Sequence, residues 1–366
     1  MGSEHGPPSA AACARGHHQN GGASARMGFT HLESGAGNLP GILNSLDSYI
    51  LVTMDEALAL VRNDISTPPA EIILNRDMSV EALEALEARA ANARWVVGLG
   101  GGTSCDTAKY LAWKRKKPLL IAPSIISVDA WLCRSIAVRQ EGKVRYIGDV
   151  AADRLVVDYG LIKQAPAMLN RAGVADIISI ATALGDWIIA RDLFGDRFDE
   201  VVFQRALAIV EDLMGQAENI RAVNDVGIAA MVKGQAAEVE LCEEYGSARP
   251  EEGGEHFLAY CLEEITRGHY VHGNLIALNV LVTLKLQRER AVFDYHRMKG
   301  FFDACGLAYA PGSQGIRRED YRLALETVSD YVYREKLFPG LWSQGRVFDD
   351  TGERSLDGIL DWVYSF

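Results

Sequence analysis

The chain has 366 residues, a formal charge of -12 and 48% hydrophobic residues. That length matches a prior of about two domains, and the apolar content is enough for a sizeable core, which argues against a mostly disordered chain. The 49 acidic against 37 basic residues disfavour non-specific binding to nucleic acid or anionic membrane, while leaving room for a local basic pocket. The six cysteines form no CxxC pair, which points to a reducing, cytoplasmic compartment. No apolar run of about 18 residues stands out as a membrane span.

Residues 1–26 are rich in Gly, Ser, Ala and Pro and lack an apolar core segment, so a disordered tail is expected there rather than a signal peptide. The following segment, 27–163, alternates short apolar runs with helical patterns. Tyr49–Thr53, Glu71–Asn75, Trp95–Gly100, Pro118–Pro123 and Arg154–Tyr159 read as strands buried on both faces. Val80, Leu83, Leu86 and Ala90 recur at helical spacing after Ser79, a plausible N-cap. Strands alternating with helices predict a parallel sheet. Ile136–Arg139 and Lys143–Ile147 flank Glu141-Gly142 and predict a hairpin inserted into this sheet domain. From 164 to 366 strand-like runs vanish. Asp176–Ala190, Val201–Met214, Ile228–Tyr245, Glu255–Thr266, Leu275–Arg288 and a tail from Glu319 onward read as helices.

Two stretches carry candidate chemistry. In WVVGLGGGTSCDT a strand runs into Gly100, Gly101 and Gly102, and a helix starts near Thr103. A helix N-terminus attracts phosphate, and glycine lets a pyrophosphate approach the backbone. The spacing is neither the Rossmann fingerprint nor a P-loop, so a tight turn that binds nothing fits as well. Asp106 and Lys109 follow on the helix. Ser124, Ser127 and Asp129 stand at the end of the next strand, where open α/β sheets bind ligands, although the serines would also serve as loop caps. In the helical half, His256 and His272 are too far apart for one helix face. A helix, a turn at Arg267-Gly268 and a second helix would bring the starts of the two helices together, and His269 would fall in the loop. Asp176 lies in an apolar stretch where an unpaired carboxylate is costly. Two His and one carboxylate suit an open Zn²⁺ or Fe²⁺ site, while caps and core hydrogen bonds are the other reading.

Taken in order, GLGGGTSCDTAK, APSIISVDAW, AGVADIISIATALGDW, GSARPEEGGEH and VHGN resemble the sn-glycerol-1-phosphate dehydrogenase family. That family is a branch of the metal-dependent polyol dehydrogenases related to dehydroquinate synthase. The resemblance runs from about Gly98 to Arg290. It implies an α/β nucleotide-binding domain, an all-α metal-binding domain and an active site in the cleft between them. It implies that Gly100, Gly101 and Gly102 hold the NAD(P) pyrophosphate, with Thr103, Ser104 and Asp106 nearby. Ser124, Ser127 and Cys133 would line the cofactor, and Asp129 would face the substrate. Asp176, His256 and His272 would hold one divalent metal, Zn above Fe or Ni. A homo-oligomer acting on a small molecule is also implied.

The sequence departs from the family pattern at Tyr260, where a second histidine is usual, and across Ala130–Arg134. These departures touch the substrate wall. The expected activity is reversible hydride transfer between NAD(P)H and a small ketone, phosphorylated or phosphonylated, such as dihydroxyacetone phosphate or an analogue. Metal-bound water or a group such as Tyr260 or Asp129 would supply the proton, and Arg134 would either bind the phosphate or stand as a surface charge of the hairpin. Asp55, after an early strand, would favour NAD over NADP. The alternatives are a sugar-phosphate cyclase of the dehydroquinate synthase type and a non-catalytic binding protein on an old enzyme fold.

Overall fold

The computed structural model describes residues 31–140 and 143–366, with the backbone alone at 143. The expected tail at 1–26 lies outside the described residues. Six strands form one parallel sheet. They are β1 (Leu32–Gly35), β2 (Tyr49–Thr53), β3 (Glu71–Leu74), β4 (Trp95–Gly100), β5 (Leu119–Pro123) and, after a hairpin, β8 (Arg154–Asp158), in the order β1-β8-β5-β4-β2-β3. Every residue of β2 and β5 is buried, as expected of strands covered on both faces, but β3 departs from that expectation: it lies at the sheet edge with Ile72 and Leu74 exposed. Ser79 caps the Val80–Arg89 helix by accepting from the Ala82 amide. The hairpin strands β6 (Ser135–Gln140) and β7 (Lys143–Asp149) pair with each other as a separate two-stranded sheet, and Arg139 of β6 adds an isolated parallel bridge to Ser79. The hairpin interrupts the chain between β5 and β8 without adding a strand to the main sheet.

From Ala167 onward the regular elements among the described residues are all helices. The Val174–Phe194 helix packs against the His272–Gln287 helix, and both are almost wholly buried. By length and composition the Ala167–Phe194 stretch is apolar enough to cross a membrane, contrary to the sequence expectation. It is the core of the helical region, with 94% of its most apolar 18-residue window buried, and it carries the buried Asp176 and Asp186. Two glycine positions shape the site. Gly100 has φ +153°, and a Cβ there would lie 2.5 Å from Ser104 Oγ, so the β4-to-helix turn closes only without a side chain. A Cβ on Gly273 would meet the Ala172 carbonyl oxygen at 1.9 Å. The start of the His272–Gln287 helix thus abuts the chain just before the Val174–Phe194 helix, which brings His272 to Asp176.

Candidate active site

Asp176 stands in the first turn of the Val174–Phe194 helix, His256 in the first turn of Gly254–Thr266, and His272 at the start of His272–Gln287. One ligand atom from each falls within 4.8 Å of the others. His272 Nε2 is 3.5 Å from Asp176 Oδ1, and the two imidazole rings are 5.3 Å apart. Asp176 Oδ1 is buried and accepts no hydrogen bond from the protein. Burial, reinforced by the charge of Asp129, pushes the Asp176 carboxyl up to about 8. His272 is pushed down to about 3 by burial and by His256. His256 rises to about 9: burial works against its charge, but the Glu255 hydrogen bond and charge outweigh it. A lone buried carboxylate oxygen beside two imidazoles is a costly arrangement that a divalent cation would relieve. The donor set, two nitrogens and one oxygen, suits Zn²⁺ or Fe²⁺.

Glu255 supports this cluster. It is fully buried and accepts from His256 Nδ1 at 2.8 Å, the Gly253 amide at 2.8 Å and Thr182 Oγ1 at 2.5 Å. The bond at Nδ1 leaves His256 Nε2 to face a cation. Behind it, Asp186 accepts from the Gly254 amide (2.8 Å), Gln287 Nε2 (2.7 Å) and the Leu341 amide (3.1 Å). Arg249 donates to the Asp186 and Pro339 carbonyls. The Arg249, Glu252 and Glu255 positions of GSARPEEGGEH are thus structural and electrostatic supports of the histidine. Sequence reasoning quoted that motif without assigning them.

A cavity of about 310 Å³ opens beside the cluster. Its wall includes Gly102, Thr103, Asp106 and Lys109 from the start of the Gly102–Arg115 helix, and Asp176 and His272 from the helical region. The structure therefore brings the start of the helix after the glycine turn, Asp176 and His272 to one space between the sheet and the helices. The N-cap Gly101 has no side-chain bond to the helix amides, so the first-turn N–H groups are open to an anion. Gly100, Gly101 and Ser104 support this turn from behind the wall, and Ser124 donates its amide to the Gly100 carbonyl. Ser124 and Ser127 do not line the cavity.

Lys109 is buried, 2.6 Å from Asp106 Oδ1. Its Nζ also donates to the carbonyls of Ala130 (3.0 Å), Cys133 (3.1 Å) and Ser135 (2.6 Å). This pins the 129–135 wall to the helix. Asp129 and Cys133 both face the cavity, and Cys133 Sγ donates to Asp129 Oδ2 at 2.9 Å. Tyr260 also lines it, and its hydroxyl donates to Glu252 Oε1 at 2.6 Å. Burial, with Glu252 adding to it, holds that phenol well above its ordinary range. Arg134 does not reach the cavity. Its guanidinium holds both carboxylate oxygens of Asp149 at 2.7 and 2.6 Å, at the base of the hairpin. The hairpin instead offers Arg139 and Tyr146, which sequence reasoning missed because its register is not visible in the chain. His269 is exposed in the loop and lines the cavity.

A family model described as iron-containing alcohol dehydrogenase matches residues 49–166. Glycerol-1-phosphate dehydrogenase (NAD(P)+) of Methanospirillum hungatei is 29% identical over 209 residues, 57% of this chain and 58% of that protein. The enzyme of the same name from Pyrobaculum neutrophilum is 30% identical over 240 residues, 64% of this chain and 68% of that protein. Among solved structures, a probable glycerol dehydrogenase from Sinorhizobium meliloti superposes with a TM-score of 0.69 at 20% identity, covering 92% of this chain and 95% of that one. A sulfoacetaldehyde reductase from Bifidobacterium kashiwanohense, in complex with NAD+, gives 0.65 at 13% identity, covering 93% and 98%. These structures share the fold read here, a parallel sheet followed by a helical region. On its match to the Pyrobaculum enzyme, the chain belongs to the glycerol-1-phosphate dehydrogenase family of NAD(P)-dependent alcohol dehydrogenases.

Proposed function

We propose that the protein catalyses reversible, metal-dependent hydride transfer between NAD(P)H and a small hydroxyketone, giving a secondary alcohol. The observation that carries this reading is one cavity lined both by Asp176 and His272, which cluster with His256, and by the open N-terminus at Gly102–Thr103. In this reading Asp176, His256 and His272 hold the cation and the Gly100–Thr103 turn receives the cofactor pyrophosphate. A bound divalent cation supplies Lewis acidity at the ketone oxygen, and the nicotinamide supplies the hydride.

The chain's own residues set the geometry. Glu255 fixes the ring of His256. Lys109 holds the Ala130–Ser135 wall. Tyr260 keeps its proton on Glu252, which suits it to orienting that carboxylate rather than to giving the proton away. Asp129 faces the cavity with Cys133 on one oxygen, and we assign proton handling to it. Asp55 follows β2 and pairs with Arg76 at 3.2 Å. A carboxylate there favours the free ribose of NAD. The relatives are by name glycerol-1-phosphate dehydrogenases, which supports a three-carbon substrate and makes dihydroxyacetone phosphate one candidate. A cytoplasmic setting fits the five described cysteines, all free and buried. The sugar-phosphate cyclase reading is not favoured, because the relatives are dehydrogenases.

The test is NADH and NADPH oxidation by metal-reconstituted protein with dihydroxyacetone, its phosphate and their analogues. Turnover that His256→Ala abolishes together with bound metal supports the reading. No oxidation with any ketone, despite stoichiometric metal, overturns it.

A further inference from the structure

In chain order β2 is followed by β3 on one side, whereas β4, β5 and β8 stack on its other side. The sheet therefore reverses direction between β2 and β4, and the crevice at the carboxyl ends of two such strands is where an open α/β sheet takes a dinucleotide. Three parallel strands end together there, with Leu74 of β3 beside Thr53 of β2 and Thr53 beside Leu99 of β4. The helix after β2 shares an apolar cluster with Leu51, and the helix after β4 shares one with Val52, so the two helices cover opposite faces of the sheet.

The loop after β2 reaches the glycine turn. Met54 Cγ lies 3.6 Å from the position that a Cβ on Gly100 would take. Asp55 comes next and opens the Asp55–Val61 helix. The loop after β3 is pinned beside it. Asn75 Nδ2 donates to the buried Thr107 Oγ1 at 2.8 Å, Asp77 Oδ1 accepts from the Ser79 amide at 2.8 Å, and the Met78 carbonyl accepts from the Arg139 amide at 2.8 Å. The chain on both sides of Arg76 is thereby fixed, while the Arg76 side chain is 82% exposed. One of its nitrogens, Nη2, meets Asp55 Oδ2 at 3.2 Å, and Asp55 is itself exposed. An exposed pair of this kind is weak and readily exchanged for a better partner.

A carboxylate and a guanidinium thus share the rim next to the glycine turn, and they suit opposite forms of a ribose. A carboxylate accepts from a free 2′-hydroxyl. A phosphate monoester at that position carries about two negative charges, which repel the carboxylate and match the fork of a guanidinium.

We infer that Asp55 and Arg76 together form a two-way ribose subsite: Asp55 accepts from the 2′-hydroxyl of NAD, and Arg76 leaves Asp55 to hold the 2′-phosphate of NADP. This inference rests on the dehydrogenase reading and names the cofactor determinant of that same site. Asp55 alone would disfavour NADP, and Arg76 is the cation that admits it. The pair is separated by 21 positions in the chain and is brought together by the parallel register of β2 and β3.

Calorimetric titration with NAD+, NADP+, 5′-AMP and 2′,5′-ADP tests it without turnover. The two mononucleotides isolate the adenosine end from the nicotinamide and the metal. The wild type should bind both dinucleotides. Arg76→Gln should lower the NADP+ to NAD+ affinity ratio by about tenfold or more, with a parallel fall for 2′,5′-ADP against 5′-AMP, and Arg76→Lys should restore part of it. Asp55→Asn should raise both ratios. Added salt should weaken NADP+ more steeply than NAD+, and Arg76→Gln should remove that difference. Both side chains are exposed, so the variants should fold, which circular dichroism checks. The inference is overturned if Arg76→Gln leaves both ratios within about twofold of the wild type, or if the wild type binds NAD+ and not NADP+. Binding of neither dinucleotide to folded protein overturns this inference and the dehydrogenase reading together. Binding as expected with no reduction of any ketone would defeat the dehydrogenase reading alone.

Discussion

Glu255→Gln is the sharpest probe of the candidate metal centre. The carboxylate is fully buried, and its two oxygens accept three bonds, from His256 Nδ1, the Gly253 amide and Thr182 Oγ1. Glutamine keeps the volume and one carbonyl oxygen. That oxygen can still accept from His256 and Gly253, and the new amide can donate to Thr182 once its hydroxyl rotates. The fold should therefore survive, with a stability loss of about 1–2 kcal/mol. What disappears is the negative charge behind the imidazole, which holds the tautomer and raises the basicity of Nε2. Replacing such an orienting partner costs about ten- to a hundredfold in metal affinity. The assay is competition between the protein and a fluorescent zinc chelator, with metal content and kcat/KM read on the same samples. Affinity should fall by that factor, and excess Zn²⁺ should restore part of the activity. A Glu255→Gln variant that binds Zn²⁺ within about twofold of the wild type would refute the orienting role. Glu255→Ala is a poorer test, because it strands the buried His256 Nδ1 and Gly253 donors at about 1–3 kcal/mol each, while Thr182 can turn to the Ser179 carbonyl, and would unfold much of the sample.

Three further outcomes follow from the same geometry. Gly273→Ala places a Cβ 1.9 Å from the Ala172 carbonyl oxygen, so the His272–Gln287 helix must shift; about 1–3 kcal/mol of stability should be lost, and thermal melts with metal analysis should show a lower Tm and weaker metal retention. Lys109→Met leaves buried Asp106 and three carbonyls without their cation; denaturant titration should show a loss of about 3–5 kcal/mol, and surviving enzyme should show KM rising more than kcat falls, because the 129–135 wall is released. Burial pushes the Glu243 carboxyl up to about 7, with Arg134 opposing and Asp149 adding to the rise. Its contribution to stability is present below the ordinary glutamate range and is lost as pH rises through 7, since the folded state must then ionise it. Glu243→Gln should therefore flatten the fall in unfolding free energy between pH 5 and pH 8, by about 1 kcal/mol after allowing for solvent screening; an unchanged slope would contradict that assignment.

The parallel sheet was legible because strands buried on both faces leave unbroken apolar runs, and five of its six strands were read within a residue or two. The strand that escaped, β1, is LESG, with one apolar residue in four. It exists because β8 beside it supplies a parallel partner in register from Leu32 to Gly35, a tertiary cause with no local signal. The Tyr295–Cys305 helix escaped because Gly300 and adjacent aromatics blur its period. In the site, Asp176, His256 and His272 were legible as residue types that are costly to bury without purpose, and the turn at Arg267 does bring the two helix starts together. Arg134 misled because proximity in sequence to Asp129 stood in for proximity in space. The pairing of β6 with β7 sets Ser135 opposite Asp149 and turns Arg134 onto that carboxylate.

The excess of acidic residues acquires a local meaning from this arrangement. In the proposed reading an anionic dinucleotide meets open amides at Gly102–Thr103 rather than lysines, since Lys109 is consumed internally. Backbone amides and a divalent cation are positive without adding side-chain charge, so a protein of net charge -12 could seat an anionic cofactor in this cavity. Salt screens the attraction between phosphate and the helix N-terminus. Added NaCl should therefore weaken NAD+ binding, and an affinity unchanged by salt would show that the helix N-terminus does not hold the pyrophosphate.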